Sequence, residues 1–433
     1  MQAQKNAPDP YKRSRLLFVV EQALEYFISI LIGGAYFARI TEAAGIPDDV
    51  TGILTSLASF SCVAQLAALT LMRRRSVKRI ITVGHTVNQL LFALLYLTPF
   101  VPVSSEYRAC ILAGCLLLGH LISQAIYSPK INWFMELVDD KKRGVFTANK
   151  EIFSLLSGMV FTFVMGAIID RFDAAGNQTG SFILIAVTIF GLCALHTLTL
   201  VFSKEKTAPE RAVKAEKVSL GELFSNRNLL KVLVIPVLWH IITYSTTPFL
   251  GTYQNKELGF SMVFISVISA LSAIARSLAS RPMGRLADKY SFATMLILCF
   301  AIKASSLAVN MFTAPANGHV LFTLYAVLQA MAMAGINSSM INLVYDYVPR
   351  RMRVAALALQ SILAGIVGFV TTLLSSRLVA YIQKSGNRFL GMNVYAQQVM
   401  SAIALIITLL TIVYLYTVVR RIHRAQIDYT PPV

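Results

Sequence analysis

The chain has 433 residues, 56% of them hydrophobic and 14% charged, with a formal net charge of +18. Soluble domains carry about a quarter charged residues, so this composition excludes an ordinary soluble domain and fits an integral membrane protein. The basic residues are spread through short loops and form no single patch, which argues against nucleic acid as a partner and for the lipid bilayer.

Apolar runs of about 18 residues or more, bounded by charge, proline or glycine, predict twelve spans. The first six are 16–38, 50–72, 80–100, 109–127, 152–169 and 182–202. The second six are 230–250, 263–280, 292–312, 320–344, 354–382 and 399–419. The expected fold class is an all-α integral membrane protein of two pseudo-symmetric six-helix halves, 16–202 and 229–419. A polar central loop, 203–228, is expected to hold a short surface helix with a capping-box pattern at Ser219 and Glu222. Residues 1–15 and 420–433 would be cytoplasmic segments. The basic stretch from Lys5 to Arg15 precedes a run too long for a signal peptide, with no small-residue cleavage site after it, so the first helix is expected to stay on the protein. Cys62, Cys110, Cys115, Cys193 and Cys299 all fall in apolar runs, at spacings that suggest neither disulfides nor a metal site, and no cofactor is expected.

The first span carries two acids, Glu21 and Glu25. At about 1.5 Å per residue through a core about 30 Å thick, Glu25 falls near the midplane and Glu21 nearer the cytoplasmic edge. An ionisable group at that depth costs about 2.5 to 3.5 kcal/mol on insertion scales and faces protein or a watered cavity. Glu25, Ser29, Gly33 and Tyr36 share one helical stripe, read as inward-facing. Glu25 reads as a proton carrier or as one end of a fixed ion pair; Glu21 has the same two readings, with loop Lys and Arg as its partners.

Alternate loops differ sharply in basic residues: thirty Lys and Arg on one set, against Arg39, Arg108, Arg171, Lys256, Lys384 and Arg388 on the other. The positive-inside rule then puts both termini in the cytoplasm of a cell-membrane protein. Lys130 and Lys150 are counted among the loop residues. An internal repeat at an offset of 210 matches Asn132, Val138, Arg143, Ala148, Gly158 and Val160 with Asn342, Val348, Arg353, Ala358, Gly368 and Val370. Duplicated halves of this kind place a substrate site near the midplane and give alternating access by rocking.

Gly284-Arg285-Leu286-Ala287-Asp288-Lys289, after the eighth span, resembles the cytoplasmic signature of the major facilitator superfamily. The first-half counterpart, Arg73-Arg74-Arg75-Ser76-Val77-Lys78-Arg79, departs from it: Arg74 replaces the glycine and Lys78 the aspartate. The resemblance implies that helices one, four, seven and ten line the cavity, and that Asp288, Arg285, Arg353 and Arg143 act in gating. On the cavity helices, periodicity groups His120, Gln124 and Tyr127 on the fourth; His240, Thr243, Tyr244 and Thr247 beside Trp239 on the seventh; and Gln329 and Asn337 on the tenth. Pro236 and Gly335 would let two of these helices bend.

Arg276 offers a planar fork for carboxylate or phosphate, or serves as the ion-pair partner of Glu21 or Glu25. Lys303 reads as a packing or ion-pair residue. His85, Asn88, Gln89 and His196 read as interhelical hydrogen bonding. Asn177-Gln178-Thr179 matches a glycosylation acceptor, meaningful only in a secretory pathway. No clustered nucleophile and base, zinc spacing or phosphate loop points to an enzyme. The expected function is proton-coupled secondary transport of a small polar or anionic organic solute by a monomer. The rivals are an exporter of amphipathic drugs and a transporter-like sensor.

Overall fold

The computed structural model describes residues 10–65, 78–138, 143–205, 220–347 and 353–422. In chain order the helices are α1 (Lys12–Leu31), α2 (Gly34–Ala43), α3 (Asp48–Phe60), α4 (Lys78–Leu95), α5 (Ser105–Met135), α6 (Arg143–Ala174) and α7 (Gln178–Phe202). They continue with α8 (Leu220–Ser225), α9 (Arg227–Thr246), α10 (Met262–Lys289), α11 (Phe292–Asn310), α12 (Gly318–Tyr347), α13 (Arg353–Lys384) and α14 (Ala396–Tyr414). After α9 the chain stays helical through a 3₁₀ turn, Thr247–Phe249, a short stretch, Leu250–Thr252, and a π turn, Tyr253–Glu257. The only strands among the described residues, Arg388–Phe389 and Met392–Asn393, form a hairpin whose turn residues Leu390 and Gly391 both have positive φ.

Nine of the described helical segments are long and apolar enough to cross a bilayer, or ten when α1 and α2, broken at Ile32 and Gly33, count as one. The other two positions belong to α3, which runs toward residues outside the described part, and α4, which carries His85, Asn88 and Gln89 on its buried face. Large apolar side chains such as Leu16, Val187, Leu278, Phe312 and Val320 stand exposed along these helices. Lipid is the solvent that makes such surfaces stable. The short helix expected in the central loop is α8; its predicted cap, Ser219, lies outside the described residues.

Two boundaries differ from the sequence reading, with consequences for the site. The fourth span was expected to end at residue 127, before Ser128-Pro129-Lys130, yet α5 continues through Pro129 to Met135. Proline removes one helical hydrogen bond. Here Ile126 before it and Trp133, Phe134 and Leu137 after it all enter one buried cluster with Phe18, Ile81 and Leu200, so packing holds the helix on both sides of the break. The fifth span was expected to begin at 152, whereas α6 begins at Arg143. Lys130 and Lys150, counted as loop residues, therefore lie on helices, and both are buried.

Contacts group residues 1–33 and 64–213 into one unit and residues 34–63 and 214–433 into another. In the first, α4 packs on α5 and α7, and α1 on α6 and α7. In the second, α3 packs on α13, α9 on α13 and α14, and α11 on α12 and α14. Asp48, at the start of α3, accepts from Lys256 Nζ at 2.6 Å and Gln383 Nε2 at 3.0 Å, while Asn255 Nδ2 donates to the Ala35 carbonyl at 2.9 Å. These bonds tie α2 and α3 to the rest of that unit. A Cβ on Gly335 would collide with Cys299 Sγ, so this glycine allows close packing of α12 on α11.

The α3–α13 contact is equally tight, since Ser59 Oγ donates to the Gly365 carbonyl at 3.1 Å and a Cβ on Gly365 would stand 2.5 Å from the Ser59 carbonyl oxygen. Gly365→Val is expected to destabilise the protein by about 1 to 3 kcal/mol through overpacking. Thermal unfolding of the purified protein in detergent checks this, and an unchanged Tm would contradict the packing.

Candidate functional site

The buried face of α1 runs Ser14, Phe18, Glu21, Leu24, Ile28, Leu31, a helical stripe in which Glu21 occupies a core position. Glu25 stands beside that stripe and keeps 23% of its side-chain surface exposed, whereas Glu21 keeps 0%. On α5, Ile126, Lys130, Trp133 and Phe134 share the face turned to the core, so Lys130 is fully buried although it is charged. The residue that the sequence reading missed is therefore Lys130. Its ammonium lies 2.9 Å from Glu21 Oε1 and 2.5 Å from Glu25 Oε2. The partner of the two acids is a helical lysine, not Arg276.

His85 on α4 and His196 on α7 complete the cluster. His196 Nε2 is 2.9 Å from Glu21 Oε1, and against an ionised carboxylate it is the donor. His85 Nδ1 is 4.0 Å from Glu25 Oε1, and the two imidazoles lie 5.0 Å apart, centre to centre. Gln22 links a further cation, accepting from Lys150 Nζ at 3.0 Å and donating to Glu25 Oε2 at 3.4 Å. Side-chain oxygen and nitrogen atoms of Glu21, Glu25 and His196 lie within 4.8 Å of one another. Lys130 Nζ already stands between the two carboxylates as a tethered cation.

Taking an ion out of water costs several kcal/mol even after relaxation, and only close, hydrogen-bonded counter-charges offset it. Two carboxylates satisfy Lys130. With both acids ionised and both histidines neutral, the set of Glu21, Glu25, Lys130, His85 and His196 carries one negative charge in excess, with the Lys150 cation one step away behind Gln22. It has the composition of a site that takes up one positive charge.

Of the other expected site residues in the first unit, Gln124 accepts from Gln65 Nε2 at 2.9 Å, His120 packs 5.1 Å from the Phe92 ring, and Tyr127 is exposed. In the second unit, His240 stacks on Tyr244 at 5.6 Å and its Nδ1 lies 2.8 Å from the Pro236 carbonyl. Trp239 sits in the apolar core, edge-on to Phe300. Lys303, on the core face of α11 with Cys299, Phe300 and Leu307, is 0% exposed; it donates to Gln329 Oε1 and stands 5.9 Å over the Trp239 ring. Among the described residues it has no carboxylate partner, which sets it apart from Lys130. Arg276 is half-buried on α10 and Arg285 is exposed. The side chains of Asn337, Asp288, Arg353 and Arg143 lie outside the described residues.

A chain of apolar bilayer-length helices with charge buried inside one unit is a polytopic membrane transporter in design, and the comparisons agree. The family described as Major Facilitator Superfamily matches residues 21–372 and 244–430, and the chain belongs to it. It is thus a multi-pass membrane protein with the twelve-helix fold of that superfamily, as the motif at Gly284 to Lys289 implied. No curated protein matches the sequence. Among solved structures it is similar to the nucleoside transporter NupG, with a TM-score of 0.68 at 14% identity over 93% of this chain and 98% of that one. A D-xylose-proton symporter gives a TM-score of 0.70 at 12% identity, covering 93% and 97%. A bacterial homologue of the human lysosomal transporter Spinster, inward-facing and unoccupied, gives 0.66 at 12%, covering 95% and 97%.

The two buried lysines predict opposite mutational outcomes. Lys130→Met strands two acids, one fully buried, and is expected to cost about 3 to 5 kcal/mol, less whatever water at Glu25 screens. Adding Glu21→Gln and Glu25→Gln to it should recover most of that loss. Lys303→Met strands no carboxylate among the described residues and is expected to be neutral or stabilising. Thermal unfolding of the four proteins decides both points; equal losses for the two lysines would contradict the assignment.

Proposed function

We propose that the protein is a secondary active transporter moving a small polar or anionic organic solute together with protons, by alternating access, with Glu25 as the proton entry point and Glu21 as its buried partner. The observation that carries this reading is the excess negative charge of the Lys130 cluster, combined with the partial exposure of Glu25 alone among its members. An intramembrane acid in contact with water is a proton or cation site by default. The named functions of two structural neighbours, nucleoside transport and D-xylose-proton symport, are of the same kind.

The solute would be held by His120, Gln124 and Tyr127 on α5, by Trp239, His240 and Tyr244 on α9, by Arg276 on α10, and by Gln329 and Asn337 on α12. Lys303 and Arg276 give the second unit two cations without a carboxylate partner among the described residues, which supports a polar or anionic solute over a cationic drug. Asp288, Arg285, Arg353 and Arg143 would act in gating, by the superfamily resemblance of the Gly284 to Lys289 motif and the repeat that relates Arg143 to Arg353. A monomer in a cell membrane with both termini cytoplasmic completes the proposal.

Proton movement is measured in sealed vesicles holding the purified protein and a pH dye, while nucleosides, sugars, organic acids and amphipathic cations are added in turn. A polar or anionic class is expected to drive proton flux in wild type and to lose it in Glu25→Gln. Flux driven only by amphipathic cations points to a drug exporter, and binding without flux to a sensor; either result refutes the proposal.

A further inference from the structure

Behind Glu25 the first unit closes a circuit of five titratable side chains. Glu25 Oε2 meets Lys130 Nζ at 2.5 Å, Lys130 meets Glu21 Oε1 at 2.9 Å, and that oxygen meets His196 Nε2 at 2.9 Å. From His196 the path crosses 5.0 Å to the His85 ring, whose Nδ1 is 4.0 Å from Glu25 Oε1. Each member sits on the core-facing side of its helix. His85 recurs with Ile81, Asn88 and Phe92 on α4, and His196 with Ile189, Cys193 and Leu200 on α7. Glu25 alone has appreciable exposure; the other four are buried.

We propose that this ring as a whole, and not Glu25 alone, is the proton-binding site, with the His85–His196 pair as the inner position that holds a proton admitted through Glu25. The inference rests on the proton-coupled reading above and adds to it two histidines that sequence alone assigned to hydrogen bonding between helices. Charge is the first argument. With neutral imidazoles the ring carries minus one, and one added proton makes it neutral wherever that proton resides. Transfer of that proton from Glu25 to an imidazole creates a carboxylate and an imidazolium, which the neighbouring Lys130 and Glu21 respectively offset. Glu21, the fully buried carboxylate, is already paired with Lys130, which leaves the imidazoles as the inner acceptors.

The second argument is the distribution of polar atoms. Glu21 Oε2, both ring nitrogens of His85, His196 Nδ1, Asn88 Oδ1 and Gln89 Oε1 are buried without a hydrogen-bond partner among the described residues. Buried polar atoms left unpaired are few in native proteins, and shared water is their usual partner. A small χ rotation of Glu25 would close the 4.0 Å to His85.

The step balances. The Glu25 carboxyl gives its proton to His85 Nδ1, leaving a carboxylate held by Lys130 and an imidazolium; His85 Nε2–H then passes a proton toward His196 Nδ1. The charged and titratable groups facing the ring are Glu21 and Glu25 from α1, His85 from α4, Lys130 from α5 and His196 from α7, with Lys150 of α6 held one step away by Gln22.

The test needs no solute. Protein carrying ¹⁵N-histidine is placed in lipid and acidified from about pH 8 to about pH 5, the range in which imidazoles respond. Nitrogen NMR follows the rings while infrared follows the carboxylic C=O band of Glu25, in wild type and Glu25→Gln. His85→Gln and His196→Gln assign the signals, with Asn replacing Gln where a variant fails to fold. Uptake of one proton by the His85–His196 pair, displaced in Glu25→Gln by about one pH unit or more while His319 is unmoved, is expected. If the Glu25 band appears while both imidazoles stay neutral, the ring is wrong and the Glu25 carrier stands. If neither responds, both readings fall.

Discussion

A lysine ammonium with no exposed surface has to be matched by carboxylates, and that requirement organises the first unit. Lys130 lies 2.9 Å from Glu21 and 2.5 Å from Glu25, which fixes the rotation of α1 against α5. Phe18 and Phe134, one helical turn from the charged residues on the same two helices, stack at 4.1 Å with rings 3° from parallel. Apolar packing and ion pairing therefore specify the same register, and the aromatic layer keeps water from the ammonium. His196 then brings α7 to the same carboxylate, and His85 brings α4 alongside it.

The second unit solves a similar problem with different chemistry. Lys303 is as buried as Lys130, yet its neighbours are an amide oxygen and an indole face. An amide and a ring quadrupole stabilise a cation far less than two carboxylates. Each unit thus has its own electrostatic sense, an excess of negative charge in one and an unmatched amine in the other.

Span positions were legible in the sequence because apolar length is dictated by the bilayer, and the acids of the first span stood out because charge there is costly. The Gly284 to Lys289 motif led to the superfamily without reference to coordinates. Lys130 was hidden for a local reason: Ser128-Pro129-Lys130 has the composition of a helix end, and only tertiary packing by Trp133 and Phe134 carries α5 through it. The periodicity of His120, Gln124 and Tyr127, continued by one turn, reaches Lys130 or Ile131 and was the available signal. His85 and His196 are 111 residues apart and meet only because α4 packs on α7, a pairing that one sequence does not encode visibly. The close packing at Gly335 was not visible in the sequence, because space around a glycine depends on the facing helix, here Cys299 of α11.

Everything argued for the first unit depends on Lys130 being a charged ammonium between two ionised acids. Nitrogen NMR of protein labelled with ¹⁵N-lysine in lipid, near neutral pH, reads that state directly when the Lys130 signal is assigned with Lys130→Gln. The account predicts an ammonium signal that shifts when Glu25→Gln removes one of its two carboxylates. A neutral amine at Lys130, with its proton on Glu21 or Glu25, would contradict the charge count from which the proton site was deduced.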